Sequence, residues 1–457
     1  MDAFERRKLE LIDECQVAPE VMDEVLPRLN RFMEPFVASF VRREQVGHAS
    51  TFVQGLLSDL DRKNVESIAY RYDQDRLPLQ SFIGISQWDD KPLRTELARQ
   101  VGQNLGRPDG VIVFDPSGFP KSGKKSVGVA RQWCGRLGKV DNCQVAVYLA
   151  YVSQEEHALV DGRLFLPEEW TKDKARCREA GVPKDRQRHR TRHELCLEML
   201  EEHGRQLPHE WIAGDDEMGR PYHFRRSLHE AKERYLLAVP SNTLIRDLET
   251  DEPPYSGTGR PSGRPWQRVD KWAASLPDSA WTKIEVRDGS KGPLTVRIVK
   301  RCVAARAPQG REGHPEVLVV TRSRERDGVA KVDYYLSNAA PDTELSEFAR
   351  VAKAEHRVEE CLQRGKSEAG LGDYEVRNWR GWHHHQTLSL IASWFLVTEL
   401  QRGKKMDPGH HAATTPGRHR ANPARRQRLR NEAASSQRTA AATCPQRARA
   451  ALPLETP

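Results

Sequence analysis

Three acidic residues, far apart in the chain, stand where carboxylates can serve a metal. Asp115 ends the apolar run Val111-Ile112-Val113-Phe114, Asp215 follows the short strand pattern Trp211-Ile212-Ala213, and Glu359 lies in a long helical pattern. Magnesium takes hard oxygen ligands, commonly one or two carboxylates, with waters and phosphate oxygens completing the shell. Two such ions can clamp the attacking and leaving oxygens of a phosphodiester. The chain has 65 Asp and Glu, so three carboxylates alone are weak evidence. Their neighbours, and the elements that carry them, must decide.

The elements follow from periodicity. Phe32, Phe36, Phe40 and Val41, then Leu56, Leu57 and Leu60, recur at helical spacing, so residues 1–105 read as a helical domain. From 106 to 245 strand and helix patterns alternate. Residues 145–152 form an apolar run of strand length, and Asp161-Gly162 between 157–160 and 163–166 reads as a hairpin turn. Helices are predicted over 191–203 and 224–233, and a strand over 235–239. Gly and Pro crowd a loop from 253 to 265. Strand signals return at 283–287, 294–299, 317–321 and 332–336, within a β-rich segment at 246–340. Helices follow over 345–368 and 381–402. The tail, 403–457, has few bulky apolar residues and reads as disordered.

Longer blocks surround the acids. Phe114-Asp115-Pro116-Ser117-Gly118-Phe119-Pro120-Lys121-Ser122-Gly123-Lys124 continues into Ser126 to Gly135 and Leu137 to Gln144. Ala213-Gly214-Asp215-Asp216-Glu217-Met218-Gly219-Arg220 forms a second block. Val358-Glu359-Glu360-Cys361-Leu362, Lys366, Gly370-Leu371 and Asp373 to Arg377 form a third. In this order they resemble the catalytic blocks of DDE transposases from bacterial insertion sequences, in particular the insertion sequence 701 family, over roughly residues 10–402. The resemblance implies a ribonuclease-H-like α/β core, split into 106–245 and 341–402 by the β-rich insertion, with a DNA-end-binding helical domain before it. It implies Asp115, Asp215 and Glu359 as catalytic residues that hold Mg²⁺, for which Mn²⁺ can substitute. It also implies double-stranded DNA, both element ends and target, as partner, at least a dimer in the active complex, and a cytoplasmic, nucleoid-associated setting in a bacterium. The family places Gly four residues after the second Asp, so Gly219 selects Asp215 and leaves Asp216 as a turn or capping residue. It places Lys seven after the Glu, so Lys366 selects Glu359 over Glu360, which a helix turns about 100° away. Lys121, Lys124 and Lys366 are the DNA-phosphate candidates. The family's basic residue four before the Glu is here Glu355 and its aromatic three after is Leu362, which puts the helper DNA contacts in doubt.

Composition sets bounds. Apolar residues make up 37% and charged residues 30%, which suits a soluble protein, and no early apolar run resembles a secretory signal. The most apolar stretch, 388–400, is too short to span a bilayer. Eight cysteines without a Cys-x-x-Cys pair favour free thiols. The net charge of +8 sits entirely in residues 403–457, which hold eleven Lys and Arg and three acids, leaving 62 of each sign elsewhere. Alternative readings are a decayed transposase copy that only binds ends, or a P-loop NTPase. Gly118-x₄-Gly123-Lys124 nearly spells the phosphate loop, but the position that must be Ser or Thr is Lys125. His383-His384-His385 lacks convergent metal partners and reads as structural or DNA-facing. The nine Lys and Arg from Lys172 to Arg192 suit either a DNA backbone or a solvated face.

Because the tail holds the whole excess charge, a chain ending near Arg402 should keep its fold and bind random DNA more weakly. Each lost phosphate contact should flatten the log-affinity against log-salt slope by about 0.9. Equal slopes for both chains across a salt series would show that the tail makes no net phosphate contacts.

Overall fold

The structure, a computed structural model, describes residues 24–154, 156–254, 257, 263–287, 294–324 and 330–406. The basic tail beyond Met406, most of the Gly- and Pro-rich loop, Cys15 and Cys444 lie outside the described residues. Among the described residues five helices come first: α1 (Val25–Val37), α2 (Arg43–Leu56), α3 (Val65–Arg71), α4 (Arg76–Gly84) and α5 (Lys91–Leu105). Then come β1 (Val111–Pro120), β2 (Ala130–Cys134), β3 (Lys139–Val152), β4 (His157–Leu164), α6 (Glu168–Lys172), α7 (Lys174–Glu179) and α8 (Arg192–His203). The central portion holds β5 (Trp211–Gly214), α9 (Asp216–Gly219), α10 (Tyr222–Glu230), β6 (Tyr235–Ala238), β7 (Leu244–Asp247), β8 (Gln267–Arg268) and α11 (Val269–Ala274). Last are β9 (Thr282–Arg287), β10 (Leu294–Arg306), β11 (Glu312–Arg324), β12 (Ala330–Ser337), α12 (Leu345–Glu368) and α13 (Trp379–Met406).

The strands form one 12-stranded mixed sheet. At its centre the order is β4-β3-β1-β5-β6: β3 is antiparallel to β4 and β1, β5 is parallel to β1, and β6 is parallel to β5. The strands between the second Asp and Glu359 continue the same sheet, because β12 pairs antiparallel with β6. They carry their own apolar cluster, with Ile245, Trp272, Leu318 and Leu336 buried in it. The N-terminal helices share the main core with α13, where Phe32 of α1 meets Phe395 edge-on at 5.1 Å between ring centroids. No helix among the described residues is long and apolar enough to cross a membrane.

Local chemistry explains several boundaries. Thr191 caps α8, accepting from Glu194 N while the Glu194 carboxylate accepts from Thr191 N, a capping box. Gly219 ends α9 hard against β6; a Cβ there would lie 1.8 Å from the Ala238 carbonyl oxygen, so no larger residue fits. The expected hairpin at Asp161-Gly162 does not form. Both residues lie inside the continuous strand β4, opposite Leu149 and Tyr148 of β3, with a register shift beside them. Gly162 is small because the Tyr148 ring would stand 2.8 Å from its Cβ.

Asp161 is fully buried and ties three elements together. Its carboxylate accepts from Arg94 of α5 at 3.0 Å, from Arg163 at 2.9 Å and from His203 of α8 at 3.0 Å. Against the upward push of burial, the Arg163 and Arg94 guanidinium groups and the His203 hydrogen bond hold it well below the usual carboxylate range. The histidine run at 383–385 is likewise structural. His384 stacks on Trp88 at 3.6 Å, with Nδ1 near the Ile83 carbonyl and Nε2 near the Trp88 carbonyl so that its one N–H donates to either, and His385 Nε2 meets the Gly370 carbonyl. Burial pushes all three down to about 4. Asp161→Ala should therefore cost up to about 3–5 kcal/mol of folding stability, since it removes the buried carboxylate that Arg94 and Arg163 share and leaves them only Asp90 and Glu202. Denaturant melts can check this; a cost under about 1 kcal/mol would show that the network is dispensable.

Candidate active site

Strand register brings the first two acids together. β1 and β5 run parallel, with Val111 opposite Trp211 and Phe114 opposite Gly214. Asp115, in the middle of β1, and Asp215, just past the end of β5, are the next residues along these two strands, which lie about 4.8 Å apart. Side chains alternate between faces, so Asp115 points away from Phe114 and with Val113 and Val111, and Asp215 points with Trp211. Phe114 meets Phe224 of α10 on one face, and Trp211 meets Phe348 of α12 on the other. The two aspartates therefore face the helix that carries Glu359. All three line one open cleft of about 560 Å³, together with Ser117, Trp133, Arg136, Arg192, Glu217 and Lys366.

The neighbouring acids separate from these. Asp215 itself caps α9, accepting from Met218 N at 3.1 Å, whereas Asp216 pairs with Arg220 at 3.2 Å in solvent. The cap is thus the residue read as the metal ligand, not its neighbour. Glu360 turns to Arg364 at 2.7 Å, one turn along the exposed helix face.

The electrostatics of the cleft are those of carboxylates short of cations. Burial, then the negative charges of Asp215 and Glu359, pushes the Asp115 carboxyl well above its ordinary value. Burial raises Asp215 to about 7 against the Met218 N–H, with Glu217 and Asp216 adding to the rise. Glu355, one turn before Glu359, is also pushed up, by burial and then by Asp215, Asp333 and Asp115. A divalent cation fits this donor set, because it would offset both desolvation and mutual repulsion. A second acid group, Asp161, Glu202 and His203, is close enough for a metal. There, however, Arg94 and Arg163 already supply the positive charge, so it reads as an ion-pair network.

A profile described as "DDE superfamily endonuclease" matches residues 35–293, more than half of the sequence. The chain belongs to this DDE endonuclease family. The matched span includes Asp115 and Asp215, while Glu359 lies beyond it. The chain is also similar to the "probable transposase for insertion sequence element IS701" of Microchaete diplosiphon, 41% identical over 95 residues. That stretch is 20% of this chain and only 25% of the relative. Among solved structures, the piggyBac transposase synaptic complex with hairpin DNA aligns over 85% of this chain and 74% of its own, at 9% identity and a TM-score of 0.38. That likeness is too slight to bear on the fold.

The basic residues of this DDE-family chain part company. Lys366 donates to Ser117 Oγ at 2.7 Å and lies beside Asp115; burial lowers its pKa while Asp115 raises it. Lys121 turns away from the cleft onto the Tyr374 ring, 3.6 Å from its centroid, and burial lowers it to about 8. Lys124 is exposed and does not line the cleft, though its carbonyl accepts from Arg176. After Lys124 the chain enters β2, not a helix, so the phosphate-loop reading fails on topology as well as on Lys125. Much of the Lys172–Arg192 run is engaged within the chain: Arg186 and Arg190 on Glu198, Arg176 over the Trp170 ring, and Arg192 on Glu217. Sequence reasoning did not single out Trp133, Arg136, Ser117 or Arg192 as site residues. Ser117 and Trp133 lie in the first block and Arg136 in the one-residue gap inside it, so proximity to Asp115 was an available signal; Arg192 closes the basic run read as suited to a DNA backbone or a solvated face.

Because the folded pKa of Asp215 lies above its ordinary 3.8, the metal-free fold is favoured by protonation. That contribution is complete below about pH 3.8 and is lost as pH rises through about 7. Metal binding needs the ionised form, so adding Mg²⁺ should raise Tm by a few degrees at pH 8 and by clearly less at pH 6. Asp215→Asn should melt higher than the parent without metal at pH 8, and should lose most of the Mg²⁺ response. Equal Mg²⁺ shifts in parent and variant would remove Asp215 from the ligand set.

Proposed function

We propose that this DDE-family protein is a transposase, which cuts DNA at the ends of its own element and joins them to a target. One observation carries the reading. Two aspartates, one within β1 and one just past its parallel neighbour β5, share one open cleft with a glutamate of the covering helix and with Arg136, Arg192 and Lys366. The strand order β4-β3-β1-β5-β6, with three antiparallel strands followed by two parallel to β1, supports a ribonuclease-H-like core at 106–245 and 341–402. In this proposal helices up to residue 105 belong to the DNA-end-binding part, and 246–340 is an insertion that extends the sheet.

Asp115, Asp215 and Glu359 would hold Mg²⁺ or Mn²⁺, acting as ligands and not as covalent nucleophiles. When bound, such ions supply Lewis acidity to the attacking and leaving oxygens of a phosphodiester. Lys366, held on Ser117, and Arg192, held on Glu217, are cations placed to bind phosphate oxygens and orient the scissile strand. Hydrolysis of one phosphodiester frees a 3′-hydroxyl and leaves a 5′-phosphate. That hydroxyl then displaces a 3′-oxygen of the target strand, so one phosphodiester forms as one breaks. Concerted joining of two ends implies at least a dimer.

Asp115→Asn, Asp215→Asn and Glu359→Gln should each lower cleavage of a DNA bearing the element's ends by at least about 10²–10³-fold, while binding survives. Asp216→Asn and Glu360→Gln should cut at close to the parent rate. An excision assay on a plasmid carrying the ends decides the matter: full activity in any of the first three removes that residue from the triad, and no excision by the parent chain counts against transposition.

A further inference from the structure

A two-stranded hairpin beside the cleft exposes apolar side chains that folding would normally bury. β2 and the start of β3 are joined by the turn Gly135–Leu137, with Gly138 at φ 61°. Trp133 is 55% exposed, Val140 opposite it 51% and Leu137 at the tip 42%. Trp133 and Val140 are directly paired, so they lie on one face. Arg131, two residues back, shares that face. The opposite face is sealed by the buried trio Cys134, Cys143 and Val145. Gln132 Nε2 donates to the Cys143 carbonyl at 2.9 Å, bracing the two strands. Nothing in the fold of the described residues covers the outer face, although Trp133 and Arg136 also line the cleft that holds Asp115, Asp215 and Glu359.

The surroundings say what covers it. Arg131 and Arg136 flank the three apolar residues, and Arg136 has no ion-pair partner among the described residues, whereas Lys139 stands opposite Cys134 on the other face and pairs with Asp141. A flat π-face framed by cations beside a phosphodiester site matches an unpaired nucleobase on its own backbone, since every base offers a face to stack on. Intact duplex keeps its bases stacked on one another, and only side chains inserted between base steps reach their faces. A second copy of the chain is the poorer fit, because three side chains fall far short of the roughly 800 Å² per partner of a stable protein interface.

We infer that the β2–β3 hairpin is a platform for unpaired bases of the DNA end being processed, with Trp133 stacking on a base and Arg131 and Arg136 holding the adjoining phosphates. This rests on the DNA reading above and adds a ligand class, single-stranded or frayed ends, and a positioning role for Trp133.

The test compares two DNAs by fluorescence anisotropy at fixed salt without divalent ions: a blunt duplex, and the same duplex with unpaired bases at one end carrying 2-aminopurine. Trp133→Ala should weaken binding of the forked DNA about fivefold or more, with the blunt duplex changed less than about twofold. The parent and Trp133→Phe should quench the 2-aminopurine, and Trp133→Ala should not. The exposed position should leave the melting temperature of the variant unchanged. Equal loss on both DNAs would make the hairpin a duplex contact, and no loss on either would remove it from DNA altogether. A fall in sedimentation mass on Trp133→Ala without fork-specific loss would assign the patch to a second copy. If the parent chain binds neither DNA, the DNA reading itself fails, an outcome distinct from failure of the hairpin alone.

Discussion

The in-register parallel pairing of β1 with β5 is the constraint on which the rest of the arrangement depends. It sets two carboxylates at the same height on adjacent strands, where burial and repulsion oppose their ionisation. Parallel pairing requires a long crossover. Between β1 and β5 that crossover is the whole stretch through β4 and α8, so the two acids can meet only after much of the core has formed. The covering helix α12 then adds Glu359, and Glu355 below it, to a place already short of positive charge. A fold tolerates such a site only when the surrounding packing over-determines it.

The contrast with Asp161 shows that the charge deficit is particular to the cleft. Asp161 is just as deeply embedded, yet two guanidinium groups and an imidazole surround it, and its carboxyl is held low. Glu316 also has a cation of its own: Arg225 of α10 donates to it at 2.9 Å, as does the Tyr235 hydroxyl at 2.7 Å, linking β11 to β6. The protein thus neutralises buried acids with its own cations where they are structural. At Asp115 and Asp215 its cations stand aside: Lys366 bonds to Ser117 and Arg192 to Glu217. That division is the physical reason to look for an external cation in the cleft.

The cleft is assembled from parts that chain order keeps separate. Its floor comes from β1 and β5, one wall from α12, and its rim from the β2–β3 hairpin and the start of α8. Each wall belongs to an element with its own reason to fold, such as the capping box at Thr191 or the buried cysteines under the hairpin. The proposed chemistry therefore borrows rigidity from the core, while the residues facing solvent remain free to meet a polymer.

Much of this was legible in the sequence because it depends on local order. The apolar run before Asp115, the β-branched strands from 283 to 336 and the helix over 345–368 follow from periodicity, which neighbours alone determine. Gly219 was legible as a spacing, and the structure supplies its cause in the closeness of the Ala238 carbonyl. Asp161-Gly162 misled because a turn signal is local, whereas the pairing with β3 and the Arg94 and His203 side chains that hold Asp161 come from elsewhere along the chain. The direction of Lys121, the cap made by Asp215 and the exposure of Trp133 were equally beyond the sequence. Each is set by what stands opposite in space: Tyr374 across more than 250 residues, the turn of α9, and solvent where a core would otherwise be. Residue type and spacing could nominate three carboxylates; only the register of two parallel strands and the helix across them could bring those carboxylates into one cleft.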